Sequence, residues 1–179
     1  MQSCSGWRNM PLPSIHPVNV VIVSDWLLLG SLDNVWDAAN VQGKLDALRA
    51  DGITHILSCA KEASFVVYGD SSLRHLHVPM MDDHSSVDVF RNSLPAMATF
   101  IDEARRNGRI IVHCWAGLSR SVSCILAYLV THYNLTDRQA LQWVRQRKPT
   151  IAPNPSFLKV VAGLNPGGAL QLPTTEVGV

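Results

Sequence analysis

Apolar residues follow three different rhythms along this chain. Short unbroken runs such as Ile110–Val112 have the length and β-branched content of strands covered on both faces. Asn19–Val23 and Trp26–Leu29 read as two more short strands, joined at Ser24-Asp25, and Ile53–Cys59 as another. Leu73–Pro79 alternates instead, Leu73, His75 and His77 against Arg74, Leu76 and Val78, which predicts a strand with two unlike faces. Helical spacing marks Asp33–Ala50, with Leu45 and Leu48 on one side and Gly52 past the end. It marks Ser93–Asn107 as well, with Pro95 in the first turn and Gly108 closing it. Ser121–Thr131 is apolar nearly all round, as a central helix would be. Thr136-Asp137-Arg138-Gln139 is a capping box opening a helix with Ala140, Leu141, Trp143 and Val144 inward, which stops before Pro149. Asn154-Pro155-Ser156-Phe157 leads a last short helix to about Gly163, while Lys61–Ser72 reads as a loop or weak helix and Met80–Asp88 as a loop. Strands interleaved with helices predict one α/β layered domain over 19–164, between an irregular arm at 1–18 and a flexible tail at 165–179.

Composition narrows the function classes. The 179 residues are 47% apolar and 16% charged, which suits a globular chain with a sizeable core. A net charge of +1 leaves no broad electrostatic footprint for nucleic acid or an anionic membrane, so attraction to phosphate has to be local. Cys4, Cys59, Cys114 and Cys124 match no zinc spacing, and no metal or other cofactor is expected. The first 17 residues lack the continuous apolar core of a signal peptide, and no run is long enough to span a bilayer. A soluble protein in a reducing, cytoplasmic setting is the expectation.

The chemistry gathers where a strand ends and a helix begins. Between Val112 and Ser121 the chain reads His113-Cys114-Trp115-Ala116-Gly117-Leu118-Ser119-Arg120. A five-residue loop ahead of a helix curls so that its amide N–H groups converge on one point, which together with the helix N-terminus forms an anion site. A thiol at the start of that field is expected to ionise and act as a nucleophile. Arg120 supplies a fork for two phosphate oxygens, and Gly117 allows the turn. A nucleophile and an oxyanion cradle on one loop are what covalent catalysis on a phosphate ester requires.

His113-Cys114-x-x-Gly117-x-x-Arg120-Ser121 resembles the signature of the cysteine-dependent protein tyrosine phosphatase superfamily, and its flanks resemble the atypical dual-specificity branch. The likeness runs from about Val20 to Val161. It implies a mostly parallel sheet of about five strands with helices on both faces. It also implies metal-independent hydrolysis of phosphotyrosine and phosphoserine/threonine in a phosphorylated protein, through a cysteinyl-phosphate on Cys114. Trp115, Ala116, Gly117, Leu118, Ser119 and Arg120 would bind phosphate, with Trp115 either at the mouth or packed beneath. The general acid would come from a loop about thirty residues upstream, where Asp82 and Asp83 both stand and Asp83 is preferred. Ser121 would assist departure of the thiolate, His113 would bond the loop backbone, and Asn154 would brace the loop from outside. Cys59 would be a redox partner of Cys114, and Cys124 a core residue. The stretch around Asn34–Gly43 is longer than usual in the family and receives no function. No Lys lies between Cys114 and Arg120, which favours phosphoproteins over polyphosphorylated lipids or sugars. The competing class is a phosphoprotein-binding scaffold without turnover. A sulfur transferase of the rhodanese type shares the Cys loop but not the Arg120-Ser121 step. Oligomeric state is open.

Overall fold

The computed structural model describes residues 21–65 and 72–167. The expected arm at 1–18, residues 19–20 of the first strand and residues 168–179 of the tail lie outside them. Five strands, β1 (Val21–Ser24), β2 (Leu27–Gly30), β3 (Ile53–Ser58), β4 (Arg74–His77) and β5 (Arg109–His113), form one sheet in the order β1-β2-β5-β3-β4. β1 pairs with β2 antiparallel, and every other pairing is parallel. β2 and β5 are buried at each position, so helices cover both faces of the sheet, and this explains the continuous apolar runs in the sequence. β4 is an edge strand, exposed at Arg74 and half-buried at His75, Leu76 and His77, so the two faces its alternation predicts do not separate by burial.

Among the described residues six α-helices pack on the sheet: α1 (Leu32–Val35), α2 (Val41–Ala50), α3 (Val87–Asn107), α4 (Arg120–Tyr133), α5 (Asp137–Arg147) and α6 (Pro155–Ala162). The single helix expected over Asp33–Ala50 is two. Trp36 turns extended at φ −139°, Asp37 holds its own turn by accepting from Ala39 N, and Asn40 restarts the helix by accepting from Gly43 N. Short polar side chains that bond their own backbone compete with helix in this way.

The third helix also differs from its expectation. It begins at Val87 rather than Ser93, so Pro95 lies in the interior and not in the first turn. Interior proline costs about 3 kcal/mol, and the burial of Phe90 one turn after the helix start offsets it. Phe90 is fully buried and meets Phe157 of α6 edge-on at 5.3 Å. Thr136 caps α5 as the capping box predicts, accepting from Gln139 N while Gln139 reaches back to Thr136 N.

The parallel strands deliver their carboxyl ends to one rim of the sheet, where ligands bind in α/β folds. β5 ends at His113, so Cys114 stands at that rim and α4 departs from it. Phe90→Ala is expected to destabilise the chain by ~3–5 kcal/mol, because it empties the contact joining α3 to α6; urea unfolding of the two proteins would measure the loss.

Candidate active site

Residues 114–119 form an irregular loop in which the carbonyls of Cys114, Trp115, Gly117 and Leu118 are held by groups outside the loop. Cys114 O lies 3.3 Å from His113 Nδ1, and Trp115 O accepts from Leu32 N at 3.0 Å. Gly117 O accepts from Lys148 Nζ at 3.1 Å, and Leu118 O from Ala152 N at 3.0 Å. Among the described residues none takes up the amide N–H of Trp115, Ala116, Gly117 or Leu118. A loop with its carbonyls held outside and its amides unpaired is an anion cup. Gly117 is required for the geometry, since its φ is +69° and a Cβ there would meet Gly30 O at 2.5 Å.

Cys114 is buried at the start of the cup, and Ser121 Oγ donates to its Sγ at 3.2 Å. Arg120, also buried, begins α4. Its Nη1 donates to Glu62 Oε2 at 2.5 Å and to Met80 O at 2.9 Å, while its Nε has no partner among the described residues. One edge of the guanidinium is therefore anchored and a buried donor remains free. Burial works against the charge of Arg120, but the Glu62 bond and the neighbouring Cys114 outweigh it and raise its pKa. Burial works to raise Glu62 as well, and its bond to Arg120 prevails and holds the carboxyl below the usual range.

Asp82 and Asp83 sit differently. Ser119 Oγ donates to Asp82 Oδ1 at 2.6 Å, and Asn154 Nδ2 donates to Asp82 O at 2.9 Å. Asn154 N in turn donates to Ser119 Oγ at 2.9 Å, and Asn154 Oδ1 caps α6 by accepting from Ser156 N. Asp82 thus clasps the upstream loop to the phosphate cup, with Asn154 and Ser119 as the other members. Asp83 caps the 3-10 turn His84–Ser86, accepting from Ser85 N at 2.8 Å and Ser85 Oγ at 2.5 Å, and is exposed. Those bonds hold its carboxyl below the ordinary range. Trp115 is 55% exposed, so it faces solvent beside the cup rather than packing beneath it.

Comparison with known proteins meets this geometry from another direction. The family model "Dual specificity phosphatase, catalytic domain" matches residues 35–164. The chain belongs to the dual specificity phosphatase family. Mouse dual specificity protein phosphatase 19 is 29% identical over 162 residues, covering 90% of this chain and 64% of the relative. Human dual specificity protein phosphatase 7 is 33% identical over 149 residues, covering 83% of this chain and 33% of the relative. The chain therefore spans less than two thirds of the length of either. Among solved structures it is similar to the human tyrosine phosphatase-like serine/threonine/tyrosine-interacting protein, at TM-score 0.68 and 25% identity over 80% of this chain and 93% of that one. It is also similar to human DUSP28, at TM-score 0.65 and 27% identity over 82% of this chain and 95% of that one.

In this dual specificity phosphatase domain, two site residues carry no sequence signal that pointed to them. Glu62 lies in the 3-10 turn Lys61–Phe65, a stretch that reads as a loop or weak helix, and only the fold brings it to Arg120. Lys148, beyond the end of α5, is 6% exposed and supports Gly117 from behind; burial lowers its pKa, and Cys114 acts in the opposite direction. The cup thus has an ammonium behind it although none lies in its sequence. Among the described residues no group of three or more His, Cys, Asp or Glu could hold a metal ion, and no helix is long and apolar enough to cross a membrane.

His113 belongs to a chain of bonds leading away from the cup. Its Nδ1 faces a carbonyl, which only accepts, so Nδ1 carries the proton and Nε2 accepts from Ser58 Oγ at 2.5 Å. Ser58 Oγ also meets His75 Nε2 at 2.8 Å. Burial lowers the pKa of His113 to about 3 and that of His75 to about 4, so both are neutral in the folded state. The unfolded chain protonates them below about pH 6.5. Stability is therefore expected to fall as pH drops from about 6.5 toward 4, by up to ~1.4 kcal/mol per pH unit for each histidine. Urea titrations at stepped pH would measure that slope, and His75→Gln should make it shallower. Glu62→Gln, which loses one charge-assisted bond to Arg120, is expected to reduce kcat/KM toward a phosphate ester by roughly ten- to a hundredfold, measured by steady-state kinetics.

Proposed function

We propose that this chain hydrolyses phosphotyrosine and phosphoserine/threonine in phosphorylated proteins through a cysteinyl-phosphate on Cys114. The observation that carries the reading is the convergence of three features at one loop: unpaired amides, a buried Arg120 Nε without a partner, and the Cys114 sulfur beside Ser121. The amides and the free edge of Arg120 hold the three phosphoryl oxygens, whose charge is the main load in phosphoryl transfer. Sulfur attacks phosphorus in line as the ester P–O bond breaks, and a carboxylic acid gives its proton to the departing oxygen. Water then attacks phosphorus, the same carboxylate takes a proton from it, and the Ser121 hydroxyl serves the departing sulfur.

Asp83 is the acid in this scheme and Asp82 the clasp. The carboxylate and carbonyl of Asp82 are both engaged in joining the upstream loop to Ser119 and Asn154, whereas Asp83 has only its own turn to leave. A phosphate dianion arriving beside Asp83 disfavours its ionised form and counters the Ser85 bonds. The lack of Lys in the loop and the exposed Trp115 suit a protein surface over a small polyphosphate. A cytoplasmic location fits a working thiol.

The test is turnover of p-nitrophenyl phosphate and of matched phosphotyrosine and phosphothreonine peptides, with and without chelator, beside Cys114→Ser. Wild type should turn over in chelator and Cys114→Ser should not. Binding of the phosphopeptides without turnover by either would overturn the enzymatic reading in favour of a scaffold. Asp83→Asn is expected to lower kcat by roughly a hundredfold or more on the phosphothreonine peptide, and by less on the nitrophenyl ester with its better leaving group. Asp82→Asn, whose amide oxygen still accepts from Ser119, should keep most of kcat; the opposite ranking would exchange the two roles.

A further inference from the structure

Two thiols meet behind the phosphate cup, next to the strand that carries the nucleophile. The parallel register pairs Ser58 with His113, and Cys59 N donates to His113 O at 2.8 Å, so Cys59 leaves β3 beside the point where Cys114 leaves β5. Cys59 Sγ, however, bonds in another direction. It lies 3.4 Å from Cys124 Sγ on α4, one turn past the Ser121 that touches Cys114. Cys59 is 0% and Cys124 1% exposed, and all three cysteines are free.

We propose that Cys59 and Cys124 are the end point of oxidation in this domain: an intramolecular disulfide forms between them by relay from Cys114, which is returned as a thiol. The proposal rests on the reading of Cys114 as a nucleophilic thiol. A hydroperoxide is the oxidant. Its O–O bond breaks as the Cys114 sulfur takes one oxygen and becomes a sulfenic acid, the other oxygen leaving as water or alcohol. The Cys59 sulfur attacks the sulfenic sulfur; the S–O bond breaks, and hydroxide leaves with the Cys59 proton as water. The Cys124 sulfur then attacks Cys59, the Cys114–Cys59 bond breaks, and the Cys124 proton passes to the departing Cys114 sulfur. In sum one hydroperoxide is reduced, two thiols become one disulfide, and the nucleophile is unchanged.

The geometry favours this order over direct oxidation of the pair. Neither Cys59 nor Cys124 is open to solvent, so peroxide does not reach their sulfurs directly, and burial, reinforced by the Cys124 contact, pushes the Cys59 thiol up. Oxidation enters where the substrate enters. The final link needs little change from the resting arrangement, because a disulfide places its sulfurs about 2 Å apart and those of the free thiols lie 3.4 Å apart.

The experiment treats the full chain with hydrogen peroxide, quenches with an alkylating agent at intervals, and maps peptides without reduction, with p-nitrophenyl phosphate turnover measured on each sample. Wild type is expected to accumulate the Cys59–Cys124 link while Cys114 remains alkylatable and turnover persists. Cys124→Ala should turn over normally before peroxide. After it, this variant should stop at the Cys114–Cys59 link, with turnover lost until dithiothreitol is added. Cys59→Ala should form neither link and carry Cys114 to the sulfinic acid, with no recovery. A wild type that ends at Cys114–Cys59 with Cys124 alkylatable would overturn the relay while the phosphatase reading stands. A wild type without turnover whose Cys114 ignores peroxide would overturn both. The wild-type map decides even if a variant fails to fold.

Discussion

The site depends on where four carbonyl groups point. Cys114, Trp115, Gly117 and Leu118 each turn their oxygen outward, to His113, to the first residue of α1, to the lysine after α5 and to Ala152 in the segment before α6. Because a peptide unit is planar, fixing a carbonyl on one side sets the amide to the other. The cup is therefore shaped less by its own sequence than by what surrounds it. Four separate elements must be in place before any N–H faces inward, so the anion site forms only in the finished fold. A loop so determined is preorganised, and preorganised donors are those that stabilise developing charge without reorganising.

Around the cup, Arg120 and Asp82 both find partners on distant parts of the chain. Arg120 is anchored by Glu62 and by Met80 O, which come from either side of β4. Asp82 meets Ser119 and Asn154, so the acid loop, the phosphate loop and the start of α6 close into one clasp. Phe90 and Phe157 join α3 and α6 below it. The clasp does not float on a mobile surface, because the helices carrying its members are already packed.

Much of this was legible beforehand. Binary pattern located the strands, since β2 and β5 are buried on both sides and must be apolar throughout, and the capping box at Thr136 located α5. Cys114, Arg120, Ser121 and Gly117 were readable because the loop that unites them is contiguous. What could not be read was whatever depended on distance in sequence. Glu62 is 58 residues from Arg120, in a stretch with no period. Lys148 looks like an ordinary solvated cation after a helix until the fold buries it. The break at Trp36–Asn40 and the early start of α3 were missed for a related reason: caps and buried aromatics overrule helical spacing and the position of a proline. The strand ending at Cys59 lies beside β5, where the family resemblance put it, but the sulfur's contact with Cys124 is a matter of rotamer, which no spacing encodes.

Ser58 illustrates how far the influence of the cup extends. Its hydroxyl bridges two imidazoles and owns a single hydrogen. Once the carbonyl of Cys114 has selected the tautomer of His113, that hydrogen is directed inward, and His75 on the outermost strand is left to donate. The bookkeeping of protons at the sheet's edge is thereby dictated from its centre. A change of tautomer on β4 would have to be answered, bond by bond, at the backbone of the nucleophile.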